Sequence, residues 1–188
     1  MTNFNIKTIE MAGLGSALRA LRLPFGNDCR SNVVFECNDL FENEIETSSQ
    51  IKIDYKDLQL LSTLVKRGNE HAKVMRGIIV WAEIEAPIYF YRELETYRIG
   101  RERLASESTM HIQCQGLSGE ELEKAKEEML MGTMQKTVDM YSYQCLRNIY
   151  FQRKDHRLHI WHKFCSWIES LPFANELIIC KNDNKENN

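Results

Sequence analysis

The spacing of apolar residues in the first half of the chain predicts two strands and two helices. Apolar and polar residues alternate in the strands, and apolar residues recur every three or four positions in the helices. The predicted elements are a strand over 5–11, a helix over 14–21, a helix over 55–67 and a strand over 78–85. Asp54 and Gly68 flank the second helix as a capping carboxylate and a C-terminal glycine, which fixes its predicted bounds.

In the second half of the chain, the same spacing predicts long helices. Pro87 ends the preceding strand and opens a helix that Gly100 closes. Apolar residues then step by three or four along one predicted helix from about 119 to 152. The residues that form this stripe are Leu130, Met134, Val138, Tyr141, Cys145 and Ile149. A last helix is expected to begin at Asp155 and to end at Leu171-Pro172.

Together these elements predict a single α+β domain over 1–180, with a small, mostly antiparallel sheet packed against long helices. A chain of 188 residues is long enough to bury a hydrophobic core of its own. Two polar segments fall outside this plan. We expect residues 29–50 to form a mobile excursion or a hairpin, and the tail 181–188 to be disordered.

Charge and composition exclude several classes of protein. The chain has 24 basic and 27 acidic residues, which argues against a partner that is a nucleic acid polymer. No apolar stretch approaches the roughly 18 residues of a membrane span, and no signal peptide is visible, so we expect a cytoplasmic protein. The six cysteines are scattered without a C-x-x-C pair, which favours free thiols over a zinc site.

The densest polar segment of the chain runs from Tyr97 to His111. It carries three arginines, two serines, a threonine and a histidine around Gly100. Guanidinium forks, hydroxyl groups and backbone N–H groups in such a loop can bind phosphate. The alternative is a solvated connecting loop, because loops are polar whether or not they bind a ligand.

A second polar segment, Arg153 to Lys163, contains His156, His159 and His162. On a helix these three side chains spread over roughly a third of the circumference, so we expect no shared metal ion. A solvated helix face is the simpler interpretation. Glu70-His71, just after the predicted helix 55–67, is an isolated acid–imidazole pair.

Taken in order, these segments resemble the flavin-dependent thymidylate synthases. In that family a Glu-His pair precedes a strand, as Glu70-His71 does here. After the next helix comes the signature R-H-R-x-x-S-x-N-E-x-S-x-R-Y, where this chain has Arg98 to His111. A C-terminal run similar to A-Q-x-E-I-R aligns with Arg153 to Lys163, and the resemblance covers roughly residues 66–165.

The resemblance is closest to a divergent branch of that family found in phages and prophages. The segments that are similar to this branch are Glu70-His71, Ala86-Pro87-Ile88-Tyr89 and Ser108-Thr109-Met110-His111. The family resemblance implies the fold of the thymidylate-synthase-complementing proteins. It also implies reductive methylation of dUMP to dTMP, with FAD, NADPH and methylenetetrahydrofolate, in a homotetramer whose sites lie between subunits.

The resemblance also implies roles for individual residues, with no metal among the ligands. Ser108 is expected near the pyrimidine as the catalytic residue. The implied cofactor-binding residues are His71, Arg98, Arg101, Arg103 and Ser106. The implied nucleotide-binding residues are Glu95, Arg98, Ser108, His111, His159 and Lys163.

The chain departs from the family signature at several positions. When Arg98 is aligned with the first arginine of the signature, Ile99-Gly100 replaces the His-Arg pair that follows. In the same alignment, Met110-His111 replaces the final Arg-Tyr pair. The C-terminal run has His159 and Lys163 in place of glutamine and arginine, and lysine lacks the bidentate fork. The alternative is therefore a catalytically degenerate phage accessory protein on the same fold, which binds a nucleotide or a host protein. A third reading is a scaffold without a ligand.

Overall fold

The computed structural model describes residues 3–26, 32–35 and 49–182, which form six strands and eight α-helices. The strands are β1 (Asn5–Ala12), β2 (Asn32–Phe35), β3 (Ser49–Lys52), β4 (Ile79–Pro87), β5 (Arg101–Ser106) and β6 (Met134–Ser142). The helices are α1 (Leu14–Arg22), α2 (Tyr55–Arg67), α3 (Ile88–Leu94), α4 (Thr109–Ile112), α5 (Gly119–Glu127), α6 (Tyr143–Arg153), α7 (His159–Glu169) and α8 (Ala174–Leu177). Short 3-10 helices cover Leu23–Phe25 and Lys73–Gly77.

The main sheet has the strand order β1-β4-β6-β5, and every neighbouring pair is antiparallel. This arrangement confirms the predicted α+β fold with a small antiparallel sheet. Strands β2 and β3 form a separate antiparallel pair, which holds the two described parts of the excursion 29–50. The remainder of that excursion and residues 183–188 of the tail lie outside the described residues.

One face of the main sheet packs on helices, because alternate residues of the central strand β4 are apolar. On β4, Val80, Ala82 and Ile84 are fully buried, while Glu83 and Glu85 are partly exposed, as the sequence predicted. Aromatic rings from α3, α7 and β6 cover this face in close edge-to-face and tilted contacts. The ring centroids are 4.8 Å apart for Phe90–Trp161, 5.2 Å for Phe164–Trp167 and 6.0 Å for Tyr141–Phe164.

The elements with strong local signals follow the prediction. Helix α2 covers Tyr55–Arg67, and the Asp54 carboxylate accepts a hydrogen bond of 2.9 Å from the backbone N–H of Lys56. Helix α1 begins directly after Gly13, and both β1 and β4 lie within two residues of their predicted bounds. In each case the signal, a capping residue or an alternation of apolar and polar residues, lies within or next to the element and does not depend on distant partners.

The predicted helix over 119–152 is wrong, because this segment forms α5, β6 and α6 in succession. Residues 128–133, which include Gly132, separate α5 from β6. The β-branched pair Thr137-Val138 favours a strand. Pairing with β4 on one side and β5 on the other then overrides the helical spacing of the apolar residues. Ser142 starts the following helix, since its hydroxyl oxygen accepts from the N–H of Cys145 at 3.2 Å.

Three further expectations need correction. The helix after Pro87 ends at Leu94 and not at Gly100, and the segment from Tyr97 to His111 contains β5 where we expected only a loop. The last long helix begins after Leu158 and not at Asp155. Within the part of the chain that the structure describes, no helix has both the length and the apolar character that crossing a membrane requires.

Gly100 provides a test of how β5 is positioned. It has a φ of +79°, and its carbonyl oxygen accepts a 2.7 Å hydrogen bond from the N–H of Ser142. A Cβ at this position would overlap the Ser142 hydroxyl that caps α6 and would lie 3.2 Å from the Cβ of Cys145. We predict that Gly100→Ala lowers the free energy of unfolding by about 3 kcal/mol, from backbone strain and the disturbed cap.

Gly116→Ala is the matched control for this variant. Gly116 has a φ of +83°, but a Cβ there meets no atom within 4 Å. We expect Gly116→Ala to lower the free energy of unfolding by only about 1–2 kcal/mol, which is the cost of backbone strain alone. Urea unfolding measures the free energy of unfolding of both variants. Equal decreases for Gly100→Ala and Gly116→Ala would contradict the proposed contact at Ser142.

Candidate functional site

A buried carboxylate lies against two of the predicted arginines, where β5 pairs with β6. Asp139 of β6 is opposite Arg103 in the register and is completely buried. Its Oδ2 atom accepts hydrogen bonds from Arg101 Nε at 2.8 Å, from Arg101 Nη2, and from the Tyr141 hydroxyl at 3.1 Å. Burial raises the pKa of Tyr141 well above its ordinary value, and the Asp139 charge raises it further, so the phenol remains a donor.

The second arginine of β5 is only partly satisfied by the protein. Arg103 Nη1 donates to Glu95 Oε1 at 2.7 Å, and the guanidinium lies 4.9 Å from the ring centroid of Tyr91. Arg103 Nε forms an ion pair with Asp139 Oδ1 at 3.7 Å, which is too far for a hydrogen bond. Both Nε and Nη2 are buried, and neither has a hydrogen-bond partner in the part of the chain that the structure describes. Buried donors of this kind cost about 1–3 kcal/mol each when unpaired. Arg103 Nη2 is therefore the nitrogen of this guanidinium that has neither a hydrogen-bond nor an ion-pair partner among the described residues.

A second polar cluster joins α3, α6 and α7. Glu93 Oε2 accepts from Trp161 Nε1 at 2.8 Å and from Arg153 Nη1 at 3.0 Å, and His156 Nε2 lies 3.6 Å away. Arg153 Nε donates to the Tyr97 hydroxyl at 2.7 Å, and its guanidinium lies 4.5 Å from the Trp161 ring. Burial raises the pKa of Tyr97. The sequence placed Arg153 in a polar segment, but nothing in it indicated Glu93 as its partner.

The structure brings three of the predicted site residues together, namely Glu95, Arg101 and Arg103. The others lie elsewhere on the same chain. Arg98 is exposed between α3 and β5, Ser106 ends β5, Ser108 precedes α4, His111 is in α4, His159 and Lys163 are exposed on α7, and His71 follows α2. Among the described residues, no hydrogen bond or ion pair joins Ser108, His111 or His159 to the two arginines of β5.

The two histidine motifs make only local contacts. His71 Nε2 is 3.8 Å from Glu70 Oε1, and both side chains are exposed. On α7 the His159 and His162 rings meet edge to face at 5.3 Å, and His162 Nε2 lies 2.7 Å from the carbonyl oxygen of His156. Across residues 3–26, 32–35 and 49–182, no three His, Cys, Asp or Glu side chains are grouped closely enough to hold a metal ion.

Sequence reasoning missed Asp139, because the predicted helix over 119–152 hid its pairing with β5. A shift of the signature by three residues would have pointed to the correct strand. When R-H-R-x-x-S begins at Arg101, its two arginines and its first serine are Arg101, Arg103 and Ser106. All three belong to β5. The frame that begins at Arg98 matches only that arginine and Ser108.

No family model matches the chain, and no curated protein matches its sequence. Solved structures do match its fold. The chain is similar to the flavin-dependent thymidylate synthase ThyX from Helicobacter pylori complexed with FAD and dUMP, with a TM-score of 0.68 and 12% identity over 95% of this chain and 100% of that one. A second structure of the same enzyme with FAD and dUMP gives a TM-score of 0.67 and 12% identity, over 94% and 97% of the two chains.

The fold is also similar to that of another enzyme of pyrimidine nucleotides. The UMP/dUMP methylase PolB from Streptomyces cacaoi, bound with 5-Br dUMP, matches with a TM-score of 0.62 and 10% identity over 94% of each chain. These matches confirm that the chain has the fold expected from its resemblance to thymidylate synthases.

The buried pair at β5 leads to a prediction about stability. Asp139→Asn keeps the size of the side chain but removes the charge that faces Arg101 and Arg103. We predict a loss of about 3 kcal/mol in the free energy of unfolding, because a buried arginine without its counter-ion is strongly unfavourable. Urea unfolding at neutral pH measures this loss.

Glu128→Gln removes a carboxylate from an exposed i,i+4 pair with Lys124, whose charged atoms are 4.0 Å apart. We expect this control variant to lower the free energy of unfolding by less than about 0.5 kcal/mol. If Asp139→Asn cost no more than the control, the carboxylate would have no part in holding β5.

Proposed function

We propose that this protein binds FAD and dUMP and catalyses the reductive methylation of dUMP to dTMP, with methylenetetrahydrofolate as the one-carbon donor and NADPH as the reductant. The observation that carries the proposal is the Arg103 guanidinium, whose buried Nη2 has neither a hydrogen-bond nor an ion-pair partner among the described residues. It lies on a fold that also builds enzymes solved with FAD and dUMP.

The residues of β5 fit an anionic cofactor or nucleotide. Arg103 is a forked donor held in place by Glu95 and by the Tyr91 ring, and such forks bind phosphate oxygens in two hydrogen bonds. Asp139 lies against both arginines, and Glu95 pairs with Arg103. Because Glu95 is half exposed, solvent weakens its pairing with Arg103, which leaves that guanidinium able to contact an anion. Bound FAD would supply hydride transfer, which no side chain provides.

The remaining roles belong to side chains around β5. Arg101 orients the strand through Asp139, and Arg103 binds the anionic group. Ser106 and Ser108 follow on the same segment, where their hydroxyls suit a pyrimidine carbonyl or a phosphate oxygen. Burial raises the pKa of Cys145 to about 11 and that of Cys165 to about 12, so neither thiol is a ready nucleophile at neutral pH.

We also propose that the protein assembles as a homotetramer with its sites between subunits. Strand β5 is at the edge of the sheet, so its free side can approach a second chain. Large apolar side chains are exposed in the segment that follows it, which fits burial in an interface. They are Met110, Ile112, Leu117, Leu130 and Met131.

Flavin binding tests the proposal and also separates the two frames of the signature. We expect the purified protein to keep a flavin absorption spectrum after incubation with FAD and desalting. Arg103→Gln should weaken FAD binding at least about tenfold, because it removes a charge-assisted contact worth about 1.5–3 kcal/mol. Arg98→Gln should have a small effect, since Arg98 is exposed and outside β5.

Arg19→Gln, an exposed arginine on α1, controls for the loss of one charge. Fluorescence titration of FAD, followed by titration with dUMP, measures all three variants. The cofactor proposal fails if the wild-type protein binds no flavin, and the role of Arg103 fails if its variant binds FAD as tightly as the Arg19 variant.

A non-catalytic nucleotide-binding protein is the second candidate, and one observation favours it. Arg101 is paired with Asp139, and Glu93 is paired with Arg153. Both side chains therefore bind other protein groups and not a ligand. Rescue of a thymidine auxotroph by the wild-type gene would support the synthase. Failure to rescue, with soluble protein present and dUMP still bound, would support the non-catalytic alternative.

A further inference from the structure

The turn between α6 and α7 and the first turn of α7 form a surface that carries positive charge. Its exposed cations and imidazoles are Arg157, His159, His162 and Lys163, which we call the α7 cationic surface. From residue 153 to residue 168 the sequence has one carboxylate, Asp155, although the whole chain has a net charge of −3. A surface with one sign of charge attracts ligands of the opposite sign.

Arg157 is the most available charge of this surface. It is exposed, and it forms no hydrogen bond or ion pair with any residue that the structure describes. The nearby carboxylate of Asp155 already has a cation of its own, because its Oδ2 atom lies 3.5 Å from Lys154 Nζ. The Arg157 guanidinium can therefore contact a charged ligand without breaking a contact within the protein.

The α7 cationic surface is connected to the arginines of β5 through direct contacts. Arg103 pairs with Glu95, the residue that follows α3. Two residues earlier, Glu93 Oε2 lies 3.6 Å from His156 Nε2 in the turn between α6 and α7. The carbonyl oxygen of His156 in turn lies 2.7 Å from Nε2 of His162. A ligand group that extends from Arg103 past the end of α3 therefore arrives at the α7 cationic surface.

Two carboxylates lie along this path, but each is paired with an arginine. Glu95 Oε1 accepts a hydrogen bond of 2.7 Å from Arg103 Nη1, and Glu93 Oε2 accepts one of 3.0 Å from Arg153 Nη1. Their negative charge is therefore balanced within the protein. Beyond them, Arg157 adds a positive charge that has no such partner among the described residues.

The exposure of the α7 cationic surface favours an extended ligand over a compact one, because sites for compact ligands are concave and bury most of the ligand. We propose that this surface binds the poly-γ-glutamate tail of the folate that donates the one-carbon group. Each γ-linked glutamate adds one carboxylate, so the tail complements several cations in succession. The inference rests on the proposed function, since it takes a folate to be bound at the site around β5.

The tail contributes to affinity because the other end of the folate is already bound. Exposed pairs of opposite charge contribute little in isolation, and salt screens them. A tail that is tethered to a bound ring meets the surface at an effective concentration in the millimolar range. Contacts that are themselves of about millimolar affinity then increase the affinity of the whole folate by up to about tenfold.

Calorimetric titration of the full chain, loaded with FAD and dUMP, compares tetrahydrofolate that carries one glutamate with tetrahydrofolate that carries five. We expect the pentaglutamate to bind about tenfold more tightly at low salt, and this advantage to shrink as salt increases. Arg157→Glu should reduce the advantage to within about twofold, because it reverses a charge that faces the tail. Arg157→Lys should keep the advantage, and neither variant should change the affinity for the monoglutamate.

Arg19→Glu is the matched control, because it makes the same charge reversal at an exposed residue of α1. It should keep the full advantage of the pentaglutamate. The proposal is overturned if the pentaglutamate binds no more tightly than the monoglutamate, or if Arg19→Glu and Arg157→Glu reduce its advantage equally.

Failure of the proposed function would give a different result, in which neither folate binds. Free penta-γ-glutamate at millimolar concentration is then the deciding probe, because its binding requires neither FAD nor dUMP. Binding that Arg157→Glu weakens and Arg19→Glu does not would support the α7 cationic surface as a site for linked carboxylates. Absence of binding, or equal weakening by both variants, would overturn it.

Discussion

The Asp139 carboxylate is the interaction on which the arrangement of the site depends. A fully buried carboxylate needs positive partners, and the β5–β6 register brings both Arg101 and Arg103 to it. Arg101 donates two hydrogen bonds to Asp139. Arg103 is held by Glu95 at Nη1 and faces Asp139 at Nε, and its Nη2 has no partner among the described residues. The same contact therefore fixes the edge strand and leaves one guanidinium for a ligand.

The aromatic core and the two polar clusters depend on the same packing of helices against the sheet. Trp161 shows this, because its ring packs on Phe90 while its Nε1 donates to Glu93. Arg153 in turn stacks on Trp161, so α3, α6 and α7 are joined by both apolar and charged contacts. A different contact, the ion pair of Arg103 with Glu95, joins β5 to the residue that follows α3.

The sequence predicted those features that depend on residues within the element itself. Asp54 and Gly68 fixed α2, and the alternation in β4 fixed which of its side chains face the core. Asp139 escaped prediction, because its strand depends on pairing with two strands distant in sequence, while its neighbours happen to repeat at helical spacing. The arginine-rich segment was recognised, but its partner carboxylate was not.

The central claim is that Asp139 holds Arg101 through two hydrogen bonds, whereas the less tightly held Arg103 binds the ligand. The most direct test is NMR observation of the Nε–H groups of both arginines while FAD, and then dUMP, is added. We predict that the Arg103 signal shifts on addition of ligand, while the Arg101 signal stays close to its position in the free protein. A response of Arg101 with none from Arg103, or no response from either at saturating ligand, would contradict this account.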